Sequence, residues 1–319
     1  MRLISQADAD PRDRPWAAGR SLLATAELAS LAFTPSRLLF FHLRATQDNR
    51  CAGLSRVSLW CLGGGPENGA ASIAVAMIVL GGVIVGLWPR FLCIPHWYVA
   101  FSINADVTVA DGGAKVATIV ALLMIPPCLG DTRSNHWRQS DEPMTPAWAG
   151  ASRAALSILR VQLAIVYSVA AISKLAYHSW RDGRALLTLS GDPQFAFPGW
   201  LRPAAVHFLS IGWIGDLLTW SVPAVELVIV CLLLAPRQAR AYGPIPVLLL
   251  HGGILLSMGL CSFEATMIAS AVLAFWAGNL RAIPRSIREE RCQHPIRGFI
   301  LRAESSIRRG TAQLLRYRS

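Results

Sequence analysis

Charged residues are scarce in this chain of 319 residues, because only 15% are Asp, Glu, Lys or Arg, whereas soluble domains carry about 25%. Hydrophobic residues make up 53%, and the mean hydropathy is +0.42. Several stretches have no charged residue at all: 71–88, 116–130, 161–173, 227–236, 242–263 and 265–280. An apolar helix of about 20 residues crosses a membrane. The pattern therefore excludes an ordinary soluble domain and predicts an all-α, polytopic transmembrane helical bundle, with six firm spans, or eight if weaker stretches are counted.

The sequence has no CxxC, HExxH or zinc-finger spacing, so no metal site is predicted. Two of its seven cysteines, Cys51 and Cys61, lie between the first and second predicted spans. That segment is extracytoplasmic if the N-terminus is cytoplasmic, and disulfides persist there. Two interpretations stay open, a Cys51–Cys61 disulfide that closes a small loop or two unpaired thiols.

Acidic residues are outnumbered by basic ones, 19 to 30, and ten of the basic residues follow residue 280. Basic residues beside spans mark the cytoplasmic side, so both termini are predicted to be cytoplasmic. The predicted segments are a cytoplasmic N-terminal segment (1–14), a transmembrane domain (15–280) and a basic cytoplasmic tail (281–319). The tail alternates basic and apolar residues and can lie on anionic membrane lipid. No nucleic-acid partner is predicted, and the signal-like N-terminus is better explained as a retained first helix.

Lysine is nearly absent, since only Lys115 and Lys174 occur against 28 arginines. Lys174 lies near the end of the apolar run "VQLAIVYSVAAISKLAYHSW". A guanidinium group keeps its proton in proteins, whereas a desolvated lysine can lose it. Lys174 is therefore a candidate general base. The alternatives are that its amine extends to the headgroup region or forms a buried ion pair with Glu226.

Three other ionisable residues interrupt the apolar runs: Glu226, His251 and Glu264. Such groups are costly in lipid and usually face the bundle interior. His251, in "LLLHGGILL", is a candidate catalytic group, followed by two glycines that permit close approach of a helix or ligand. The alternative is a core histidine that only donates a hydrogen bond. Glu226 is the candidate partner of Lys174, and Glu264 is expected at a solvated end of a span.

The stretch "CIPHWYVAFSINADVTVADGGAKV" is too apolar for a simple loop and too polar for a lipid-facing helix, so a re-entrant or interfacial segment is predicted. It supplies four candidate ligand-pocket residues, His96, Trp97, Asp106 and Asp111, although Asp111 is also suited to cap a helix. Trp180, after the lysine helix, is a fifth candidate or an anchor in the headgroup region. Three further pocket candidates follow the next span: Asp131, Arg133 and His136.

Four blocks resemble the SdpB family and occur in family order across residues 15–280. They are "PWAAGRSLLA", "WPRFLCIPHWYVAFSINADVTVADGGAKVATIVALLMIPPCLGDTRSNHW", "LRVQLAIVYSVAAISKLAYHSWRDGRAL" and "LLLHGGILLSMGLCSFEATMIA". The resemblance implies a multi-pass protein of the bacterial cytoplasmic membrane. It also implies work with an SdpA-like partner to mature an SdpC-like precursor into a secreted antimicrobial peptide toxin.

The same core is similar to the wider HTTM group, which includes the membrane part of vitamin K-dependent gamma-carboxylases. In that resemblance the base lysine falls on Lys174, and an E…H…F pattern falls on Glu226, His251 and Phe263. A quinol, such as reduced menaquinone or vitamin K, or another lipid-like ligand is thereby implied near Lys174. The carboxylases carry a large further domain after the membrane core, so carboxylation of protein glutamates is not implied. A transporter ranks last, because paired broken helices in matching halves are missing from the sequence.

Overall fold

Helices form all of the regular secondary structure in the residues that the computed structural model describes, namely 12–35, 51, 53–63, 69–106, 112–140, 142–192 and 197–277. The one β-type contact in these ranges is a single antiparallel bridge between Leu87 and Asn135. The predicted all-α class is therefore confirmed. The proposed domain boundaries at 14/15 and 280/281 are not tested and stay a prediction.

The N-terminal half begins with α1 (Arg14–Phe33), which starts after Asp13 because the Asp13 carboxylate accepts the Trp16 backbone N–H at 3.0 Å. Pro15 lies in the first turn, where its missing N–H costs nothing. The following elements are a 3₁₀ turn (Gly53–Val57), α2 (Leu59–Leu62), α3 (Gly69–Val85), α4 (Pro89–Asp106), α5 (Gly112–Leu123) and α6 (Ile125–Leu129).

The C-terminal half contains three long helices and several short ones. The long helices are α7 (Pro146–Ala176), α11 (Gly212–Leu234) and α13 (Pro244–Met258). The others are α8 (His178–Arg181), α9 (Ala185–Ser190), α10 (Arg202–Leu209), α12 (Arg237–Arg240) and α14 (Cys261–Phe275). The most extensive packing joins α1 to α14 and α7 to α11.

Four helical segments in the described ranges are long and apolar enough to cross a membrane: Gly112–Leu129, Pro146–Ala176, Gly212–Leu234 and Arg237–Met258. Two further apolar helices, Ala70–Val85 and Cys261–Phe275, are shorter than this limit. The structure therefore supports a multi-pass membrane protein, but with fewer full-length spans than the six that were predicted. Composition identifies apolar runs, whereas the turns that end α3 and α14 limit their length.

Three parts of the chain meet at one end of the bundle, namely the start of α1, the α3–α4 connection and the α6–α7 connection. Arg20 Nη1 lies 2.9 Å from His136 Nδ1, and the His136 backbone N–H donates to the Gly86 carbonyl at 2.9 Å. A Cβ at Gly19 would lie 2.5 Å from Leu273 Cγ, so α14 also ends here. These contacts between distant parts of the chain hold the start of α1 against the α3–α4 and α6–α7 connections.

The α11–α13 connection joins this same end, because the Trp276 indole donates to the Ala241 carbonyl at 3.4 Å and the Phe275 ring lies against Gly243. Most arginines of the described residues lie here, and we call this the arginine-rich end. Its arginines are Arg12, Arg14, Arg20, Arg90, Arg133, Arg138, Arg153, Arg160, Arg237 and Arg240.

The opposite end carries the cysteine pair. Cys51 and Cys61 are joined by a disulfide with 5.7 Å between their Cα atoms. The short elements between them pack on the last turns of α4, where the Trp60 indole donates to the Ser102 carbonyl at 2.8 Å and the Tyr98 hydroxyl donates to the Val57 carbonyl at 2.8 Å. We call this the disulfide end.

The segment predicted to be re-entrant or interfacial is an unbroken helix as far as Asp106, so the re-entrant alternative was wrong, and the interfacial position stays a prediction. α4 runs without a break from Pro89 to Asp106, and Pro95 lies inside it. His96 and Asp106 are both buried, at 2% and 0% exposure. Their polar groups face protein instead of lipid, and a regular helix can therefore carry them.

Candidate active site

Lys174 lies in the last turn of α7 and pairs with Glu226 on α11. Its Nζ is 2.6 Å from Glu226 Oε1 and 3.4 Å from the carbonyl of Ala170, one turn earlier. The Lys174 side chain is 23% exposed and that of Glu226 is 7% exposed. The pair therefore binds α7 to α11 and keeps the amine out of bulk solvent on most sides. Glu226 Oε2 is buried and has no hydrogen-bond partner in the described part of the chain.

The Lys174 ammonium also lies over an aromatic ring. Its Nζ is 5.5 Å from the centre of the Trp180 ring on α8, which is within the range of cation–π attraction. Trp180 was predicted as a pocket residue or a headgroup anchor, and the structure places it beside Lys174. Trp180 is itself only partly buried.

A second buried group of polar residues centres on His251 of α13. Its Nε2 lies 2.7 Å from the Tyr167 hydroxyl of α7, and its Nδ1 is hydrogen-bonded to Glu264 Oε2 of α14. These three residues are at most 3% exposed. Because a carboxylate only accepts, Nδ1 carries the proton, and in the neutral ring Nε2 then accepts the Tyr167 hydroxyl.

The two groups lie close to each other. Tyr167 and Lys174 are seven residues apart on α7, so they share a face and are separated by about 10 Å along the axis. His251 and Glu226 interact electrostatically. We call Lys174, Glu226, Tyr167, His251 and Glu264 the acid–base cluster. These residues come from four helices and supply an amine, two carboxylates, a phenol and an imidazole, and hydrogen bonds join the side chains.

Glu264 was expected to be solvated, but it is 0% exposed and is hydrogen-bonded to His251. Its other oxygen, Oε1, is buried without a partner in the described residues. The two glycines after His251 were expected to admit a close neighbour. No atom lies within 4 Å of a Cβ at Gly252 or Gly253, so the structure shows open space there. Phe263 packs near His251, with 6.1 Å between ring centres.

The predicted pocket residues of α4 lie elsewhere. His96 Nε2 is 2.9 Å from Glu27 Oε2 of α1, and both side chains are buried. The Trp97 indole nitrogen and both Asp106 carboxylate oxygens are buried without a partner in the described ranges. His96 and Asp106 are ten residues apart on α4, which is about 15 Å, so they do not form one pocket. Asp111 falls outside the described residues.

The remaining pocket candidates lie together at the arginine-rich end. Arg133 donates to both carboxylate oxygens of Asp131, at 2.8 and 2.7 Å. His136 packs against the Trp16 ring, with 5.7 Å between ring centres. No hydrogen bond or ion pair of the described residues connects them to the acid–base cluster.

The sequence interpretation missed two members of these sites. Tyr167 lies seven residues before Lys174 in an apolar run, and this spacing is the signal that could have identified it. Glu27 is an acidic residue inside the apolar first helix, and it could have been recognised as a buried group for the same reason as Glu226.

No solved structure and no family model matches the chain. Two proteins of Bacillus subtilis (strain 168) are similar to it. The uncharacterized protein YitO is 26% identical over 273 residues, which are 83% of this chain and 85% of YitO. The sporulation-delaying protein SdpB is 27% identical over 268 residues, which are 83% of this chain and 81% of SdpB.

The chain is therefore similar to SdpB over most of its length. The predicted resemblance to the SdpB family is thereby confirmed, while the link to the wider HTTM group stays a prediction. Because the similarity to SdpB covers most of both chains, it concerns the membrane domain as a whole and not a single motif.

Proposed function

We propose that this chain is an integral membrane maturation factor for a secreted antimicrobial peptide toxin. It acts with an SdpA-like partner on an SdpC-like precursor. The observation that carries the proposal is the relationship to SdpB, a protein named for sporulation delay, over 83% of the chain. The apolar helices support a multi-pass position in the bacterial cytoplasmic membrane.

We further propose that the arginine-rich end and both termini face the cytoplasm. Arginines concentrate beside cytoplasmic helix ends. The disulfide lies at the opposite end, which this orientation places outside the cell, where disulfides persist. Residues 15–280 then form the membrane domain, and the tail 281–319 lies on the anionic lipid of the cytoplasmic face.

A second candidate function is that of an HTTM-type membrane enzyme. Lys174 acts as general base on a quinol or another lipid-like substrate, with His251 and Glu226 as its catalytic partners. The supporting observation is the acid–base cluster itself, in which Lys174 Nζ and Glu226 Oε1 are 2.6 Å apart. The Lys174 ammonium can therefore pass a proton directly to the Glu226 carboxylate, which leaves a neutral amine that accepts a proton from the substrate. The two candidates are compatible, since a maturation factor can act through chemistry.

The residues present fit a quinol such as reduced menaquinone or vitamin K. Glu226 Oε2 and Glu264 Oε1 are buried acceptors without partners in the described ranges, and a quinol brings two hydroxyl donors. When bound, such a group supplies an acidic O–H and a source of electrons. Glu226 and Glu264 would hold the hydroxyls, and Lys174 would take the proton.

The experiment replaces the two lysines separately by arginine. Lys174→Arg keeps the charge and its pairing with Glu226 but removes the base, so mature peptide in the medium falls by roughly 100-fold, which is a typical contribution of a general base. Lys115→Arg is the matched control and leaves the yield unchanged. Peptide is measured by mass spectrometry in cells that produce SdpA- and SdpC-like proteins.

The two candidates have separate outcomes in this experiment. If deletion of the whole chain leaves peptide maturation intact, the maturation proposal is lost. If deletion abolishes maturation but Lys174→Arg retains full yield, the maturation role stands and the general-base mechanism is lost.

A further inference from the structure

Three N–H donors on one face of α1 have no acceptor. Trp16 and Arg20 are four residues apart, and both are 0% exposed. The Trp16 Nε1, Arg20 Nε and Arg20 Nη2 atoms are buried and have no hydrogen-bond partner in the described residues. Leaving buried donors unpaired is costly, so such a group of donors needs an explanation.

The remaining Arg20 nitrogen contacts a neutral ring. Arg20 Nη1 lies 2.9 Å from His136 Nδ1, and Ser21 Oγ lies 3.2 Å from His136 Nε2. Because a guanidinium only donates, Nδ1 is the acceptor and the ring proton is on Nε2. Burial lowers the pKa of His136 to about 3, and the charges of Arg20 and Arg133 add to this effect. His136 therefore supplies a lone pair but no negative charge.

Arg20 also has no counter-ion among the described residues. No carboxylate of the described residues lies within 4.0 Å of its guanidinium. The nearby carboxylate, Asp131, is held by Arg133 at 2.7 Å and lies 3.9 Å from Arg12. A buried charge without compensation costs several kcal/mol. Water molecules would accept hydrogen bonds from the three donors, but they would not neutralise the positive charge of Arg20.

The free edge of Arg20 has the geometry for an oxyanion. The Nε–H and one Nη2–H bond lie in the guanidinium plane along the same edge and point in parallel, which suits two oxygens of one carboxylate or phosphate. The Trp16 indole adds a third donor from the same helix face. We infer that Trp16 and Arg20 bind a small oxyanion of the carboxylate or phosphate class in the interior of the arginine-rich end.

A cleft opens to the surface at the same end of the bundle. It has a volume of about 220 Å³, and its polar lining consists of Arg90, Arg133, Thr132, Ser134 and the carboxylate Asp131. Arg133 lines this cleft and also lies beside Trp16, because its guanidinium is 5.9 Å from the centre of the Trp16 ring.

The thiol of Cys93 is an alternative counter-ion for Arg20. The Cys93 thiol lies close enough to Arg20 for an electrostatic interaction, and as a thiolate it would neutralise the guanidinium. Cys93 is unbridged and 2% exposed. The experiment must therefore separate a bound oxyanion from a resident thiolate.

The test is the thermal unfolding of the purified full chain in detergent, with increasing formate or inorganic phosphate. Ionic strength is kept constant with gluconate, which is too bulky for a buried site. Wild type is expected to show a saturable rise in Tm. Trp16→Phe keeps the ring on His136 and removes one donor, so the apparent affinity falls about tenfold. Arg20→Gln abolishes the effect, and Arg90→Gln, on the exposed rim of the cleft, retains it.

Several outcomes overturn the inference. It fails if wild type shows no dependence on either anion, or if Trp16→Phe and Arg90→Gln weaken binding equally. It also fails if the dependence appears only in Cys93→Ala, because the thiolate is then the counter-ion. Nanodiscs with and without anionic phospholipid identify the source, since a headgroup phosphate in the site would suppress the effect of the free anions.

Discussion

Lys174 and Glu226 neutralise each other at 2.6 Å, so removing one partner leaves the other charged inside the bundle. Glu226→Gln is expected to lower the free energy of unfolding by about 1–3 kcal/mol, less than for a fully buried pair because Lys174 keeps 23% exposure. The double variant Lys174→Met with Glu226→Leu should recover much of the loss. Thermal unfolding in detergent measures both. Equal stability of Glu226→Gln and wild type would show that Lys174 has another partner.

His136 predicts a pH dependence of stability. Burial, Arg20 and Arg133 lower its pKa from 6.5 to about 3, so the folded chain keeps the ring neutral while the unfolded chain protonates it below 6.5. The unfolded state then binds more protons, and stability falls as the pH drops from 6.5 toward 3, by about 1.4 kcal/mol per pH unit.

The measurement is Tm between pH 7 and pH 4.5, a window above the range in which most carboxylates titrate. His136→Gln keeps an acceptor for Arg20 but does not titrate, so its Tm should change much less with pH. The same steep slope in the variant would show that another group is responsible.

Single residues were predictable where the chemistry of one side chain is unusual in its surroundings. A lysine among 28 arginines and a carboxylate in an apolar run indicated Lys174 and Glu226, and their ion pair was one of the interpretations. The contact of Tyr167 with His251 was not predictable, because it depends on how α7 packs against α13. That packing is a long-range property, which local sequence patterns do not contain.

Among the elements, α1 and α14 have the most extensive packing. A Cβ at Gly19 would lie 2.5 Å from Leu273 Cγ and 3.2 Å from the Ala269 carbonyl. Gly19→Ala should therefore destabilise the chain by about 1–3 kcal/mol, because the helices must separate. Gly150→Ala on α7 is the matched control, since nothing lies within 4 Å of its Cβ position. Thermal unfolding compares the two, and an equal effect would show that helix propensity and not packing decides.

The elements also show where composition misleads. Charge-free stretches located α3, α5, α7, α11 and α13 correctly. The polar residues of α4 suggested a break, but His96 and Asp106 face the protein interior and the helix continues to Asp106. Composition reports how polar a segment is, but not which neighbours its polar groups meet.

At the scale of the whole molecule, the two ends differ in charge and in thiol chemistry. In intact cells, an impermeant maleimide should label Cys51 and Cys61 only after an external reductant opens their bond. A Ser134→Cys variant, made in a background in which the exposed Cys231 and Cys261 are replaced by Ser, places a thiol on the exposed surface of the arginine-rich end and should react there only after lysis. Labelling of this variant in intact cells would contradict the proposed orientation and indicate the opposite one.

The apolar segment of α3 is shorter than the hydrocarbon layer of a membrane is thick. Its side face is exposed, with Ile78 at 75% and Val75 at 49%, yet its apolar segment Ala70–Val85 rises only about 24 Å. The hydrocarbon layer of a typical bilayer is about 30 Å thick. If α3 crosses the bilayer, lipid tails beside it must shorten or disorder to meet it. This SdpB relative should accumulate and remain active in thin bilayers of short-chain lipids, and lose activity as acyl chains lengthen.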